Sequence, residues 1–196
     1  MIQQMSDSWG GLKPNKKMYD CLLLALSKSN DPNSWVEAEF ILSEMEKSFH
    51  RGDLADKPDA RSFGAVMNCL CNSRDPNAAE RVEGYLQKLK QLYEITGDES
   101  LRTNNMLYTT VMKSLAMRRS PAAADKAQAL LEEMKMLEQQ GANKAKPDIV
   151  TYTAYLKVLR MSNSPDRASR AAAAISDMQQ RGWQLDGIAL QELQAL

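Results

Sequence analysis

Apolar residues along this chain recur at i, i+3, i+4 and i+7, the period of one face of an α-helix. Tyr19, Leu22, Leu23 and Leu26 form the first such stripe. Phe63, Val66, Met67 and Leu70 repeat it, as do Tyr108, Val111, Met112, Leu115 and Tyr152, Tyr155, Leu156, Leu159. The leading aromatics lie 44, 45 and 44 residues apart. A second stripe follows each first one: Ala38, Ile41, Leu42, Met45; Val82, Tyr85, Leu86, Leu89; Ala127, Leu130, Leu131, Met134; and Ala171, Ala174, Ile175, Met178. Between the stripes stand Asn30-Asp31-Pro32-Asn33, Arg74-Asp75-Pro76-Asn77, Arg119-Ser120-Pro121 and Asn163-Ser164-Pro165. Asp or Ser as N-cap, with Pro at the first helical position, predicts a helix start at each.

The unit is therefore a helix hairpin, and no strand-like alternation of useful length interrupts the series. One hairpin cannot bury both its stripes alone, so neighbours must stack. The expected fold is all-α: a solenoid of about four helical hairpins, an α-α superhelix, with units 13–56, 57–101, 102–145 and 146–186. Residues 1–12 are polar and uneven and read as a flexible arm. Residues 187–196, with Ile188, Leu190, Leu193 and Leu196, read as a short helix, either a cap or the start of a fifth repeat. A stripe that ends without a polar cap leads to the expectation that the natural protein continues.

Composition narrows the classes. Of 196 residues 43% are hydrophobic, enough for a core, and 12 are Met, which suits irregular gaps between stacked helices. No stretch approaches the roughly 18 unbroken apolar residues needed to span a membrane. The first twenty residues show neither a secretory h-region nor an Arg-rich transit pattern, so an import sequence has been removed or the chain is an excerpt. Cys21, Cys69 and Cys71 lack C-x-x-C spacing, which argues against a disulfide framework or zinc site. Cys21 and Cys69 fall in helical apolar stretches and read as buried thiols. His50 reads as a surface residue near a helix C-terminus. No His/Cys/Glu cluster, Gly-rich phosphate loop or activated nucleophile is visible, so no metal, cofactor, small-molecule substrate or enzymatic activity is expected.

Net charge is zero, with 25 basic and 25 acidic residues, yet the charges are segregated. The first-helix segments 16–28, 60–74, 105–119 and 149–161 hold ten basic residues: Lys16, Lys17, Lys28, Arg61, Arg74, Lys113, Arg118, Arg119, Lys157 and Arg160. Their one acid is Asp20, which leaves 15 basic and 24 acidic residues elsewhere. A basic row along the first helices and an acidic back along the second are expected, and such a row suits a polyanion. Lys17, Lys28, Arg61, Arg74, Lys113, Arg119, Lys157 and Arg160 are the candidate phosphate contacts.

Lys57-Pro58-Asp59, Lys146-Pro147-Asp148 and the variant Lys13-Pro14-Asn15 each precede an aromatic by four to five residues. The stretch Lys146-Pro147-Asp148-Ile149-Val150-Thr151-Tyr152-Thr153, with Ala171 and Met178 downstream, resembles the pentatricopeptide repeat. The likeness covers residues 13 to 186. The tetratricopeptide repeat fits less well, because Leu23, Met67, Met112 and Leu156 stand where it has a small residue. The copies are longer than the family's usual unit, with three extra residues between aromatic and Met, and the third opens with Arg102-Thr103-Asn104 in place of Lys-Pro-Asp. Longer second helices or longer loops are expected.

The resemblance implies a mitochondrial or plastid protein that binds single-stranded RNA, one base per repeat. The residue after the aromatic and the last residue of the repeat then face the base edge. Carried over, the pairs are Asp20 with Asp59, Gly64 with Asn104, Thr109 with Asp148, and Thr153 with Asp186. Thr with Asp resembles the family's guanine pair. Two carboxylates in the first pair would repel, and Gly64 offers no side chain. Asp59, Asn104 and Asp148 also suit simple N-capping, so both readings stand. Two functions follow: an RNA-binding protein of organellar RNA metabolism, or a scaffold that holds protein or rRNA within a large organellar complex.

Overall fold

A computed structural model describes residues 14–29, 31–52, 57–184 and 187–194. The predicted arm, together with Lys13, Asn30 and Asp186, lies outside the described residues, as do the side chains of Ile188, Leu190 and Leu193. The described chain is all-helical. Its helices are α1 (Lys16–Ser27), α2 (Ser34–His50), α3 (Ala60–Asn72), α4 (Ala78–Thr96), α5 (Asn105–Ala116), α6 (Pro121–Gln139), α7 (Ile149–Met161), α8 (Arg167–Gln180) and α9 (Gly187–Gln194). Short 3-10 turns, Glu99–Leu101 and Asn143–Ala145, precede α5 and α7. The extra length of the units resides in these turns and in second helices of 17, 19 and 19 residues, against 14 for α8.

Helices α1, α3, α5 and α7 all start the same way. Asn15, Asp59, Asn104 and Asp148, four residues before each aromatic, turn their side chains onto the N–H groups of Met18, Ser62, Leu107 and Thr151. Each satisfies a donor that has no partner inside the helix. Ser62 and Thr151 reciprocate on the backbone of Asp59 and Asp148, closing capping boxes. The second helices begin differently from expectation. Only α6 has Pro at its first position, behind the N-cap Ser120. Pro32, Pro76 and Pro165 sit before the N-caps Asn33, Asn77 and Asp166. There Asp31 and Asp75 accept from the N–H two residues on, and their carbonyls accept from Ser34 and Ala78. An Asx turn thus spends Asp and Pro before the helix proper begins.

The chain forms two compact units, residues 1–74 and 75–196, and the boundary falls inside the predicted hairpin 57–101. In the first, α1, α2 and α3 all pack on one another. Tyr19, Leu23, Ile41, Leu42, Met45, Phe63 and Met67 are buried there. Leu22 and Leu26 remain half-buried, although their counterparts in α3, α5 and α7 are buried. In the second unit α5 packs on α4, α6 and α7, while α7 also packs on α6, α8 and α9. Tyr108, Val111, Met112, Leu115, Tyr152, Leu156 and Leu159 are fully enclosed. Removing the side chain of such a residue costs about 2–5 kcal/mol.

A polar triad recurs in the second unit. The Tyr108 hydroxyl donates to Glu133 at 2.7 Å, and Lys90 pairs with the same carboxylate at 2.6 Å. Tyr152 donates to Asp177, which Lys135 meets at 2.7 Å and Arg181 at 3.1 Å. Burial pushes the Asp177 carboxyl up, but Lys135, Tyr152 and Arg181 outweigh it and hold the group at about 2. Burial and the carboxylate acceptors push both tyrosine hydroxyls above their ordinary range. Phe63, which has no hydroxyl to satisfy, is followed at the same interval by Lys88 in place of an acid.

A candidate nucleic-acid interface

The cations of the first-helix segments divide into paired and unpaired. Lys17, Lys28 and Arg61, with Arg74 just beyond α3, are exposed in the first unit. Lys113 and Lys157, with Arg119 just beyond α5, are exposed in the second. None of the seven has an ion pair or side-chain hydrogen bond among the described residues. Lys113 and Lys157 stand five residues after Tyr108 and Tyr152, so they occupy equivalent places on helices packed side by side. Arg160, grouped with them in the sequence reading, pairs instead with Glu192 of α9 at 2.5 Å. Arg118 pairs with Glu80 at 2.9 Å.

The second helices behave in the opposite way. Lys126 meets Glu83 at 2.5 Å, Arg170 meets Asp125 at 2.7 Å, and Arg181 meets Glu138 at 2.9 Å. With Lys90–Glu133 and Lys135–Asp177 these pairs run from one second helix to the next in the second unit. Five acids of the second unit, Glu83, Asp125, Glu133, Glu138 and Asp177, are thus neutralised by cross-helix pairs. Each is partly exposed and adds at most about 1 kcal/mol. The first helices carry hardly any acids of their own, and apart from Lys16, Arg118 and Arg160 their cations stay available.

Arg119 sits at φ 48°, in the left-handed region, and Asn163 at the equivalent place has φ 53°. Asn tolerates this conformation because its side chain bonds locally, whereas Arg gains no such relief. A cation is thus held at a strained position just past the end of a first helix.

The eight residues assigned to base reading fare unequally. Asp20 and Asp59 do converge. Lys16 Nζ lies 3.0 Å from Asp20 and 3.1 Å from Asp59, and the Ser62 hydroxyl donates to Asp20 at 3.0 Å. The expected repulsion between the two carboxylates is cancelled by a lysine that the sequence reading had placed only in the basic row. Burial raises the Asp59 carboxyl, but Lys16 and the capping N–H groups outweigh it and hold it below the usual carboxylate range.

Thr109 and Asp148 are likewise linked, through other residues. Asn105 donates to Asp148 at 2.7 Å, the Thr151 hydroxyl donates to Asp148 at 2.8 Å, and Thr109 lies 3.3 Å from Thr151. Thr109 is only 5% exposed and donates to the carbonyl of Asn105. Gly64 is buried, and Asn104 is a cap. Thr153 is half-buried and donates to the carbonyl of Ile149, while its assigned partner Asp186 is outside the described residues. Cys21, expected to be buried, is exposed on α1, because the apolar run that contains it is broader than the buried stripe. Cys69 is buried, as expected, and His50 ends α2 on the surface.

Among the described residues no cluster of His, Cys, Asp and Glu could hold a metal ion, and no helix is long and apolar enough to cross a membrane. No protein-family model matches the chain, and no curated protein matches its sequence.

Proposed function

We propose that this chain is a non-catalytic, single-stranded RNA-binding solenoid of the pentatricopeptide type, acting in organellar RNA metabolism of mitochondrion or plastid. In each unit the first helices carry the binding cations. The observation that carries the reading is the division of cations: Lys90, Lys126, Lys135 and Arg170 of the second helices, with Arg181 just beyond α8, each meet an acid of a neighbouring second helix, while Lys17, Lys28, Arg61, Arg74, Lys113, Arg119 and Lys157 are left for phosphates. The strained Arg119 supports it, since a basic side chain replaces the glycine that the backbone favours there.

Fluorescence anisotropy with single-stranded RNA oligomers tests this reading. Engagement of three to four phosphates gives a log–log salt slope of roughly −2 to −3. Reversing Lys113, Arg119 and Lys157 together abolishes most binding, whereas neutralising Lys126 and Lys135 on the second helices changes little. Equal effects would remove the case for a directional face. Arg119→Gly separates stability from binding: it stabilises the fold by up to about 1 kcal/mol and weakens RNA binding.

The scaffold reading draws support from Thr109, which is buried, and from Asp59, Asn104 and Asp148, which are committed as caps. Stoichiometric co-purification with an organellar complex, together with no affinity for free RNA, would favour it.

A further inference from the structure

Between α1 and α3 lies a groove of about 450 Å³ whose lining includes Lys16, Lys17, Asp20, Cys21, Leu24 and Arg61. Asp59 contributes little to its rim: one oxygen caps α3, the other meets Lys16, and the side chain is 15% exposed. Asp20 is the presented carboxylate, 38% exposed. Its Oδ2 accepts from Lys16 and its Oδ1 from Ser62, each at 3.0 Å. Every carboxylate oxygen can accept a second hydrogen bond, and an ammonium has three donors. Lys16 uses two donors on Asp20 and Asp59, so one N–H is left over.

We infer that this groove selects a guanine in the bound RNA, read by Lys16 and Asp20; the inference rests on the RNA-binding reading above. Taken in order, the rim offers the Lys16 donor, then the acceptor Oδ2, then the acceptor Oδ1. The Watson–Crick edge of guanine is its complement: O6 accepts, while N1–H and the 2-amino group donate. Uracil matches the first two positions, but its O2 then faces Oδ1, acceptor against acceptor. Adenine and cytosine set an amino group against the Lys16 ammonium. The groove therefore ranks guanine first, uracil second, and adenine and cytosine last. Lys17 and Arg61, exposed and unpaired among the described residues, line the same groove and suit the flanking phosphates. Leu24 and Cys21 supply apolar surface for the ring.

The test uses the full chain and uridine oligomers that carry one central guanine, adenine or cytosine, with the all-uridine oligomer as reference. Anisotropy titrations are expected to give at least about tenfold tighter binding for the guanine oligomer than for the adenine or cytosine one, because setting a donor against a donor at the base edge leaves both unpaired. Asp20→Asn replaces one acceptor with a donor and turns the rim into the complement of uracil. The guanine advantage then disappears and the all-uridine oligomer becomes the best ligand, a reversal that loss of folding cannot mimic. Lys17→Gln weakens all four oligomers alike and preserves the ranking. Equal affinity for all four oligomers, or an unchanged ranking in Asp20→Asn, overturns the guanine assignment and leaves RNA binding standing. No binding to any oligomer overturns both.

Discussion

In the first unit a lysine, two aspartates and a serine (Lys16, Asp20, Asp59 and Ser62) meet where α1 passes the start of α3. In the second unit an asparagine, a threonine, an aspartate and a threonine (Asn105, Thr109, Asp148 and Thr151) occupy the same places relative to the aromatics of α5 and α7. Both clusters cap a helix and tie it to its neighbour. They differ in access to water: Asp20 is 38% exposed, whereas Thr109 is 5% exposed. Charge persists only where water or a partner reaches it, so the open cluster carries ions and the closed one carries neutral hydroxyls and an amide around a single carboxylate. The repeat sets positions, and solvent access decides which chemistry they can hold.

The largest effect expected from that contrast is on Lys16. Lys16→Met leaves two adjacent carboxylates without their common cation and lowers stability by about 2 kcal/mol in urea unfolding. Asn105→Leu removes a neutral donor from the equivalent place and costs about 1 kcal/mol. Equal losses would mean that charge plays no special part in the open cluster. The capping hydroxyls come next. Ser62→Ala and Thr151→Ala are each expected to cost about 1 kcal/mol, since both close capping boxes of the same kind. A large difference between them would show that the two clusters are not equivalent as caps.

Acid sensitivity sharpens the comparison further. Asp59 and Asp177 have folded values below their unfolded ones, so their contribution is present above about pH 4 and is lost as pH falls through the folded value. Melting temperatures should drop as pH falls below about 4, and the loss tied to Asp177 should continue down to about pH 2. Asp177→Asn removes that lower part of the transition. The smallest perturbation concerns thiols. Cys21 should react with a bulky disulfide reagent in the native protein, while Cys69, buried and with its thiol pushed up by burial, reacts only on unfolding.

Much of this was legible beforehand. The stripes from Tyr19, Phe63, Tyr108 and Tyr152 placed α1, α3, α5 and α7 nearly to the residue, and the Asx residues ahead of them are their caps. Pro121 opens α6 as expected, but Pro32, Pro76 and Pro165 were read two positions too far into their helices, because an Asx turn and a helix N-terminus share their residue preferences. Cys21 was misplaced because helical periodicity says which residues share a face, but not how wide a strip of that face is covered.

Local order in this protein follows from the sequence alone, since helix period, caps and turns depend on residues within about one or two turns of each other. The all-helical class and the surplus of cations on the first helices are of that kind. Only the tertiary structure decided which charges are spent. Lys16 reaches 43 residues along the chain to Asp59, Arg160 reaches 32 to Glu192, and the second-helix pairs span 42 to 45. Ion pairing needs side-chain ends within a few ångströms, and that distance is set by packing between helices, which no local pattern records.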